Sequence, residues 1–401
     1  MRYLKIFYRT SGLVFNLIFK VAFLSVILFF LSITNGYPSQ RPSNDNCSVV
    51  SADYAEQISN LIETGEYDKI YQIAKIWEQS CGTTEPVFRV KALLKIHHNS
   101  FPGELDSQNM LNQAIAFEIR DDLIVSPQRG KEYFELHPGY FGYIQPGHRF
   151  DHKTEQWARN LLLTATPDSI SRLFLQLYEG QTEAFFGALR DGHLHGTNLA
   201  RDYQSKVAEN RRLPEFNMGV KSGLWVPGGD LQVIGVKPTI GINLGVKTTN
   251  MFIDAVFEVR FGKTNRDVSI SLRDTLVSTR NYQGGYFGVE LTRILTRGKN
   301  GGFEVFAGLG YDIIEIVEDQ QIAPEGVIFG SPVVHLGLGY RFHFRNRSWL
   351  SIKPGYYFID HQNPSGSPLS GNAISVRFTF GLSENARKSD NLKRLGVNRW
   401  W

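Results

Sequence analysis

From Glu215 to Leu382 the chain carries eight stretches in which apolar residues recur at every second position. In an extended segment that spacing places all of the apolar side chains on one face. The first stretch sets Phe216, Met218, Val220, Leu224 and Val226 against Asn217, Gly219, Lys221, Gly223 and Trp225. The third sets Met251, Ile253, Ala255, Phe257, Val259 and Phe261 against Asp254, Glu258 and Arg260. The sixth sets Val334, Leu336, Leu338, Tyr340, Phe342 and Phe344 against His335, Gly337, Gly339, Arg341 and His343. Read together, the eight place Lys221, Lys247, Asp254, Glu258, Arg260, Glu290, Glu304, Asp312, His335, Arg341, Lys353 and Arg377 on the polar face. The 38 glycines and the 28 Phe and 17 Tyr suit strongly curved sheet, where glycine relieves crowding at bends.

Alternation of this kind also fits a soluble sandwich, so three further features decide the reading. The apolar face is almost pure, while the other carries charges and glycines. Aromatic residues gather near segment ends, at Trp225, Phe261, Tyr311, Phe344, Trp349, Tyr356, Phe358 and Phe380, where lipid-facing rings meet an interface. The connections alternate in length. Thr248-Thr249-Asn250, Lys299-Asn300-Gly301-Gly302 and Arg345-Asn346-Arg347-Ser348 are short, whereas 227–237, 262–282, 313–331 and 359–372 are long. Past residue 36 no apolar run is long enough for a membrane-spanning helix. A lipid-embedded chain would then have to cross as a closed barrel, because an open sheet edge is unsatisfied in hydrocarbon.

On these features residues 215–382 resemble the small eight-stranded, porin-like barrel proteins of the bacterial outer membrane. The resemblance implies an all-β membrane barrel of eight antiparallel strands, with short turns in the periplasm and long loops outside. An even strand number implies that both ends of the barrel face the periplasm. Such barrels often finish on an aromatic residue of the last strand; here the chain continues past Phe380 to Arg399-Trp400-Trp401.

The expected organisation is a signal peptide over 1–36, a linker over 37–50, a helical periplasmic domain over 51–212, the barrel over 215–382 and a periplasmic tail over 383–401. Val21–Ile33 is an apolar run preceded by Arg2, Lys5, Arg9 and Lys20 and followed by Thr34, Asn35 and Gly36, the layout of an export signal. A retained anchor is the competing reading, and Asn16 and Lys20 interrupt the span it would need. The net charge is +4; without those four basic residues the chain is near neutral, which lends nucleic-acid binding no support. Cys47 and Cys81 would pair in an oxidising periplasm if their geometry allows; the alternative is two separate thiols.

Helical spacing appears at Ala52–Ile62 and Tyr67–Gln79, joined by Thr64-Gly65-Glu66. The stretch Gly65-Glu66-Tyr67-Asp68-Lys69 resembles the inter-helix turn of a tetratricopeptide repeat, in a single copy. Pro86 opens another helix. Thr166 is expected to cap a helix whose first turn holds Pro167 and Asp168, and Gly180 to stop it. Thr197–Asn210 reads as a more polar helix leading to the barrel. The aromatic stretch Tyr133–Phe150 is expected to be a packed loop, with a binding surface as its alternative.

A barrel of this size has room inside for little beyond its own side chains. Opposite charges in that lumen should pair, because a buried unpaired charge is costly. A polar plug is therefore expected, with a narrow solute path as the alternative. His335 and His343 near Ser351 or Ser375 raise a hydrolase reading, for which no nucleophile–base–orienter spacing is evident. His97-His98 and His193-Leu194-His195 lack a third metal ligand at defined spacing, and no cofactor or metal motif is present. The expected function is a non-enzymatic barrel that binds outer-membrane lipid and anchors a helical domain. Through that domain it would meet a periplasmic protein. A small channel and an envelope enzyme are the alternatives.

Overall fold

A computed structural model describes residues 45–397, apart from 104, 273–274, 297, 299, 318–325, 345–346 and 364–365. The expected export signal, residues 37–44 of the expected linker, and Arg399-Trp400-Trp401 lie outside the described residues. The chain forms two units. One contains residues up to 103 together with Ala116–Gly180; the other contains Leu105–Ile115 and everything from Gln181.

The first unit is helical. It holds α1 (Asp45–Thr64), α2 (Tyr67–Cys81), α3 (Glu85–His97), α5 (Pro127–Leu136), α6 (Arg149–Thr164) and α7 (Ser169–Tyr178), with α4 (Ser107–Ile124) shared between the units. Helix α1 begins inside the stretch expected to be a linker. Gly65, at φ 71°, makes the left-handed turn into α2. A disulfide joins Cys47 to Cys81 with their Cα atoms 5.6 Å apart, closing the α1–α2 hairpin at its far end. The cap of α7 is Asp168 rather than Thr166. Its carboxylate accepts from the backbone N–H of Ile170 (2.8 Å) and Ser171 (3.0 Å), so the helix starts two residues later than Thr166 would start it. Gly180 then ends α7 at φ 88°.

The Tyr133–Phe150 stretch is packed against this unit. A 3₁₀ turn, Pro138–Phe141, buries Phe141, and Ile144 and Phe150 follow it inward. The backbone of that loop is held by Arg120, which donates to the carbonyls of Phe141 (3.3 Å), Ile144 (2.9 Å) and Gln145 (3.1 Å). Arg120 also donates to Asp151 at 2.6 and 2.9 Å. Asp151 accepts in addition from Arg89 (3.1 Å), which is itself paired with Glu85 at 2.7 Å. Two guanidiniums and two carboxylates are thus buried together with their hydrogen bonds made.

The second unit is the barrel with helices at one end. Helix α8 (Thr182–Arg190) and α9 (Asn198–Arg211) lead into β1 (Glu215–Gly229). The other strands are β2 (Lys237–Lys247), β3 (Met251–Leu272), β4 (Thr275–Ile294), β5 (Gly301–Val317), β6 (Gly326–His343), β7 (Ser348–His361) and β8 (Leu369–Glu384). Each pairs antiparallel with its sequence neighbours, and β1 pairs with β8, as in Val220↔Phe380, so the sheet closes on itself. Closure leaves no free edge around the cylinder.

The strands overrun the segments read from the sequence. Within the stretch 262–282, expected to be a loop, residues 262–272 and 275–282 are strand: β3 and β4 stay paired out to Leu272↔Thr275, past an irregularity between Lys263 and Val268. Beyond that irregularity the alternation resumes, with Val268 and Ile270 buried inside. The tail differs as well. After β8 a helix α10 (Ala386–Arg394) folds back on α9 and buries Leu392 and Leu395. Tyr203 Oη donates to the Leu395 carbonyl (2.7 Å), Asn391 to Asn210 (2.7 Å), and Lys388 Nζ to Glu215 (2.7 Å).

Burial pushes the Asp151 carboxyl up, but Arg120 and Arg89 outweigh it and hold it below its ordinary value of 3.8. A depressed carboxyl stabilises the fold above its unfolded pKa and loses that contribution as pH falls through the folded one. Asp151→Asn should therefore cost about 3–5 kcal/mol and reduce the acid sensitivity of the helical unit below roughly pH 4. Thermal melts followed by helical circular dichroism check this; a melt unchanged at neutral pH would contradict it.

Candidate functional site in the barrel lumen

Alternation dictates which side chains enter the barrel, and the strand register dictates which of them meet. Lys221, Arg260, Arg341, Lys353 and Arg377 are buried in the lumen, as are Asp254, Glu258, Glu290, Glu304 and Asp312. They fall into three levels along the axis.

Nearest the short turns, Arg341 Nε donates to Glu304 (2.8 Å), and its guanidinium lies over the Phe252 and Trp349 rings at 3.7 and 3.8 Å. Ser351 also donates to Glu304, and Asn217 donates to Asp254 at 2.7 Å. Lys247 pairs with Glu215 (2.8 Å) at the mouth, more open to solvent than the rest.

Glu290 is the hub of the middle level. Its oxygens accept from Lys353 Nζ (2.8 Å) and Arg377 Nη2 (2.7 Å), and His335 Nε2 lies 3.2 Å away. Arg377 reaches across to Glu258 (3.4 Å), which also meets Lys221 (3.3 Å). The His335 ring stacks on Tyr357, with centroids 4.7 Å apart. The Phe306 ring underlies both Arg377 and Lys353.

At the third level Arg260 is bonded to Asp312 and lies over the Trp225 ring at 4.4 Å. His361 Nε2 faces the other Asp312 oxygen at 3.1 Å. Above it the lumen becomes apolar. Val268, Ile270, Ile314, Ile316, Val333, Ile359 and Leu369 are packed together with Trp225 and Tyr282. The β1–β2 connection, a 3₁₀ turn over Asp230–Val233, inserts fully buried Leu231 and Ile234 into this cluster. The β7–β8 connection crosses to β3, where Ser367 N–H donates to the Ser269 carbonyl at 2.9 Å.

The sequence-derived polar face is thus brought together, and it forms ion pairs between strands. Two aromatic residues are corrected. Trp225 and Trp349 are inside the lumen, each under an arginine, and not on the outer face. Ring position near a strand end is the same signal for either face; only the parity of the position separates them, and both share the parity of Lys221 and Ser351. His361 was missed because 359–372 was read as loop, although it continues the Tyr357, Ile359 alternation. Of the residues named for a hydrolase reading, Ser351 bonds Glu304 and His335 bonds Glu290. Among the described residues no group of three or more His, Cys, Asp or Glu side chains is placed to hold a metal ion.

The outer face is the converse. Val220, Leu224, Ile240, Val259, Val289, Leu309, Leu338 and Phe380 are all more than half exposed, between 51% and 66%. No helix among the described residues is long and apolar enough to cross a membrane.

No family model matches the chain, and no curated protein matches it. Among solved structures it is similar to Neisserial surface protein A, at 8% identity over 42% of this chain and 95% of that one, with a TM-score of 0.28. It is also similar to the N-terminal β-barrel domain of OprF from Pseudomonas aeruginosa, at 7% identity over 43% of this chain and 100% of that one, with a TM-score of 0.26. A third is a major outer membrane protein from Thermus thermophilus, at 7% identity over 43% and 99%, with a TM-score of 0.30. The barrel assignment itself rests on the strand pairing of this chain.

Glu290→Gln should leave Lys353 and Arg377 facing a neutral partner inside the lumen. The expected loss is about 3–5 kcal/mol of barrel stability, read as a lower temperature at which the folded band on an unheated gel converts to the unfolded one. An unchanged conversion temperature would contradict the hub assignment.

Proposed function

We propose that the barrel is embedded in a bacterial outer membrane as a sealed, non-enzymatic anchor, and that the helical unit is an interaction domain held on the periplasmic side. The observation that carries this reading is the pairing of two opposite faces on one closed sheet. Large apolar side chains lie exposed around the outside, and ion pairs are buried within. In water the outside would be a broad apolar surface that monomeric soluble proteins do not expose. In hydrocarbon it is satisfied, and closure satisfies the backbone.

Two features support a sealed lumen over a channel. The middle of the lumen is crossed by the Glu290, Arg377 and Glu258 chain of contacts, and the loop end is filled by the apolar cluster around Leu231 and Ile234. A conducting path would have to displace both.

The strand number supports the side assignment. Strand β1 begins and β8 ends at the short-turn mouth, where α9 enters and α10 returns. Short turns in such barrels face the periplasm.

Boiled and unboiled samples should migrate differently on a denaturing gel, because the closed hydrogen-bond cylinder resists detergent. In planar bilayers the same protein should give no stable step openings. Stable openings would reject the sealed anchor in favour of the channel reading, and free solubility without detergent would reject the membrane location.

A further inference from the structure

The short-turn end of the barrel unit carries more positive charge than its carboxylates neutralise. This end is made of the last turn of α9, the strand ends, the short turns and α10. Four carboxylates reach solvent there among the described residues, and each has a basic partner. Glu209 pairs with Lys206 (3.6 Å), Glu384 with Arg347 (2.6 Å) and Asp390 with Arg394 (2.9 Å). Glu215 pairs with both Lys247 (2.8 Å) and Lys388 (2.7 Å). Arg211, Arg212, Arg293, Arg387 and Lys393 are left over. All five are exposed, and none is ion-paired among the described residues.

Four of the five lie within four residues of a strand end. Arg211 and Arg212 close α9 just before β1 begins at Glu215, and Arg387 follows the end of β8 at Glu384. Lys388 clamps these two chain ends together, donating to the Arg211 carbonyl and to Glu215, each at 2.7 Å. Arg293 is on the barrel wall itself, between Leu291 and Leu295 of the outer face, 43% and 56% exposed. The outward positions of β4 before it, Gly285, Phe287, Val289 and Leu291, carry no charge. An arginine ending such a row can lay its aliphatic stem along the leucines and hold its guanidinium at the water boundary. At the long-loop end the exposed charges of the described residues balance: Lys263, Arg266 and Arg280 stand against Asp230, Asp267 and Asp360.

We propose that this basic collar binds the headgroups of acidic phospholipids in the leaflet around the short-turn end. The proposal rests on the reading of the barrel as lipid-embedded and gives that reading a lipid class. Cations without protein partners at the edge of an apolar band are matched by a lipid phosphate that has no ammonium of its own. A zwitterionic headgroup brings its own cation and gains less. An acidic protein could reach α9 and α10 from solvent, but Arg293 stands in the row of outward leucines, where lipid headgroups lie over it. These contacts are electrostatic and sit at the water boundary, so salt weakens them.

The test uses the full-length protein in phosphatidylcholine vesicles containing a trace of phosphatidylglycerol or phosphatidylcholine that is spin-labelled on its acyl chain. The electron spin resonance spectrum separates lipid held at the protein from free lipid. At low salt the acidic lipid should associate about threefold more strongly than the zwitterionic one. Raising the salt to about 1 M should abolish that preference. Replacing Arg211, Arg212, Arg293, Arg387 and Lys393 together by glutamine should bring the ratio to about one at low salt, with the heat-dependent gel shift kept. A variant at the opposite end, Lys263→Gln with Arg266→Gln, should keep the original ratio. Equal association of the two lipids at low salt overturns the collar and leaves the membrane reading standing. So does a preference that survives the five replacements, or one that is lost in the loop-end variant. No protein-held lipid of either kind overturns both readings. Should the variant with five replacements lose the gel shift, Arg293→Gln with Arg387→Gln decides: roughly half of the preference should go, and an unchanged ratio overturns the proposal.

Discussion

The structure of the barrel depends on one constraint: charges that face a narrow, water-poor lumen must find opposite charges on other strands. Burying an ion costs several kcal/mol unless it is paired and hydrogen-bonded. Glu290 meets this demand with Lys353 and Arg377 on different strands, and Glu258 links Arg377 to Lys221. Lys221, Glu258, Glu290, Lys353 and Arg377 come from β1, β3, β4, β7 and β8. The ion pairs therefore tie together strands that are far apart in the chain, and they are made only when the sheet has closed in the correct register. A slip of one residue would turn a strand's lumen-facing charges outward and its outer-face apolar side chains inward.

The same constraint separates the two ends of the lumen. At the short-turn end and in the middle, ionic side chains fill the space and arginines lie flat on Phe252, Trp349, Phe306 and Trp225. Toward the long loops the inward positions become Val, Ile and Leu, and two loops close over them. The ionic part gives the barrel its register. The apolar part closes the opening.

The fold class was legible in the sequence because a period of two is an unambiguous signal when it recurs eight times. The inward charges were legible for the same reason, residue by residue. Their partners were not: that Arg377 meets Glu290 and Arg260 meets Asp312 depends on cross-strand register, which no local pattern encodes. The strands also extend further than their clearest alternation. Thr264, Asn265, Arg266 and Asp267 interrupt the pattern before Val268 and Ile270 resume it, so the stretch reads as loop although it is laced as strand. In the helical unit Gly65, Pro86 and Gly180 marked boundaries because each has a backbone reason to. Helix α4 has no comparable punctuation and a weak apolar stripe, and it went unread. Helix α10 is short and charged on most sides; only Leu392 and Leu395, buried against α9, explain why it forms.

The most direct measurement of the central claim is a spin-label scan along β6 in lipid vesicles, from Val334 to Phe342, comparing relaxation by oxygen with relaxation by a water-soluble nickel chelate. The account predicts an oscillation of period two, with Val334, Leu336, Leu338, Tyr340 and Phe342 open to oxygen and the intervening positions shielded. Labels at those five positions that are shielded from oxygen and nickel alike would place them in a dry core between two sheets, and the lipid-facing barrel would be contradicted.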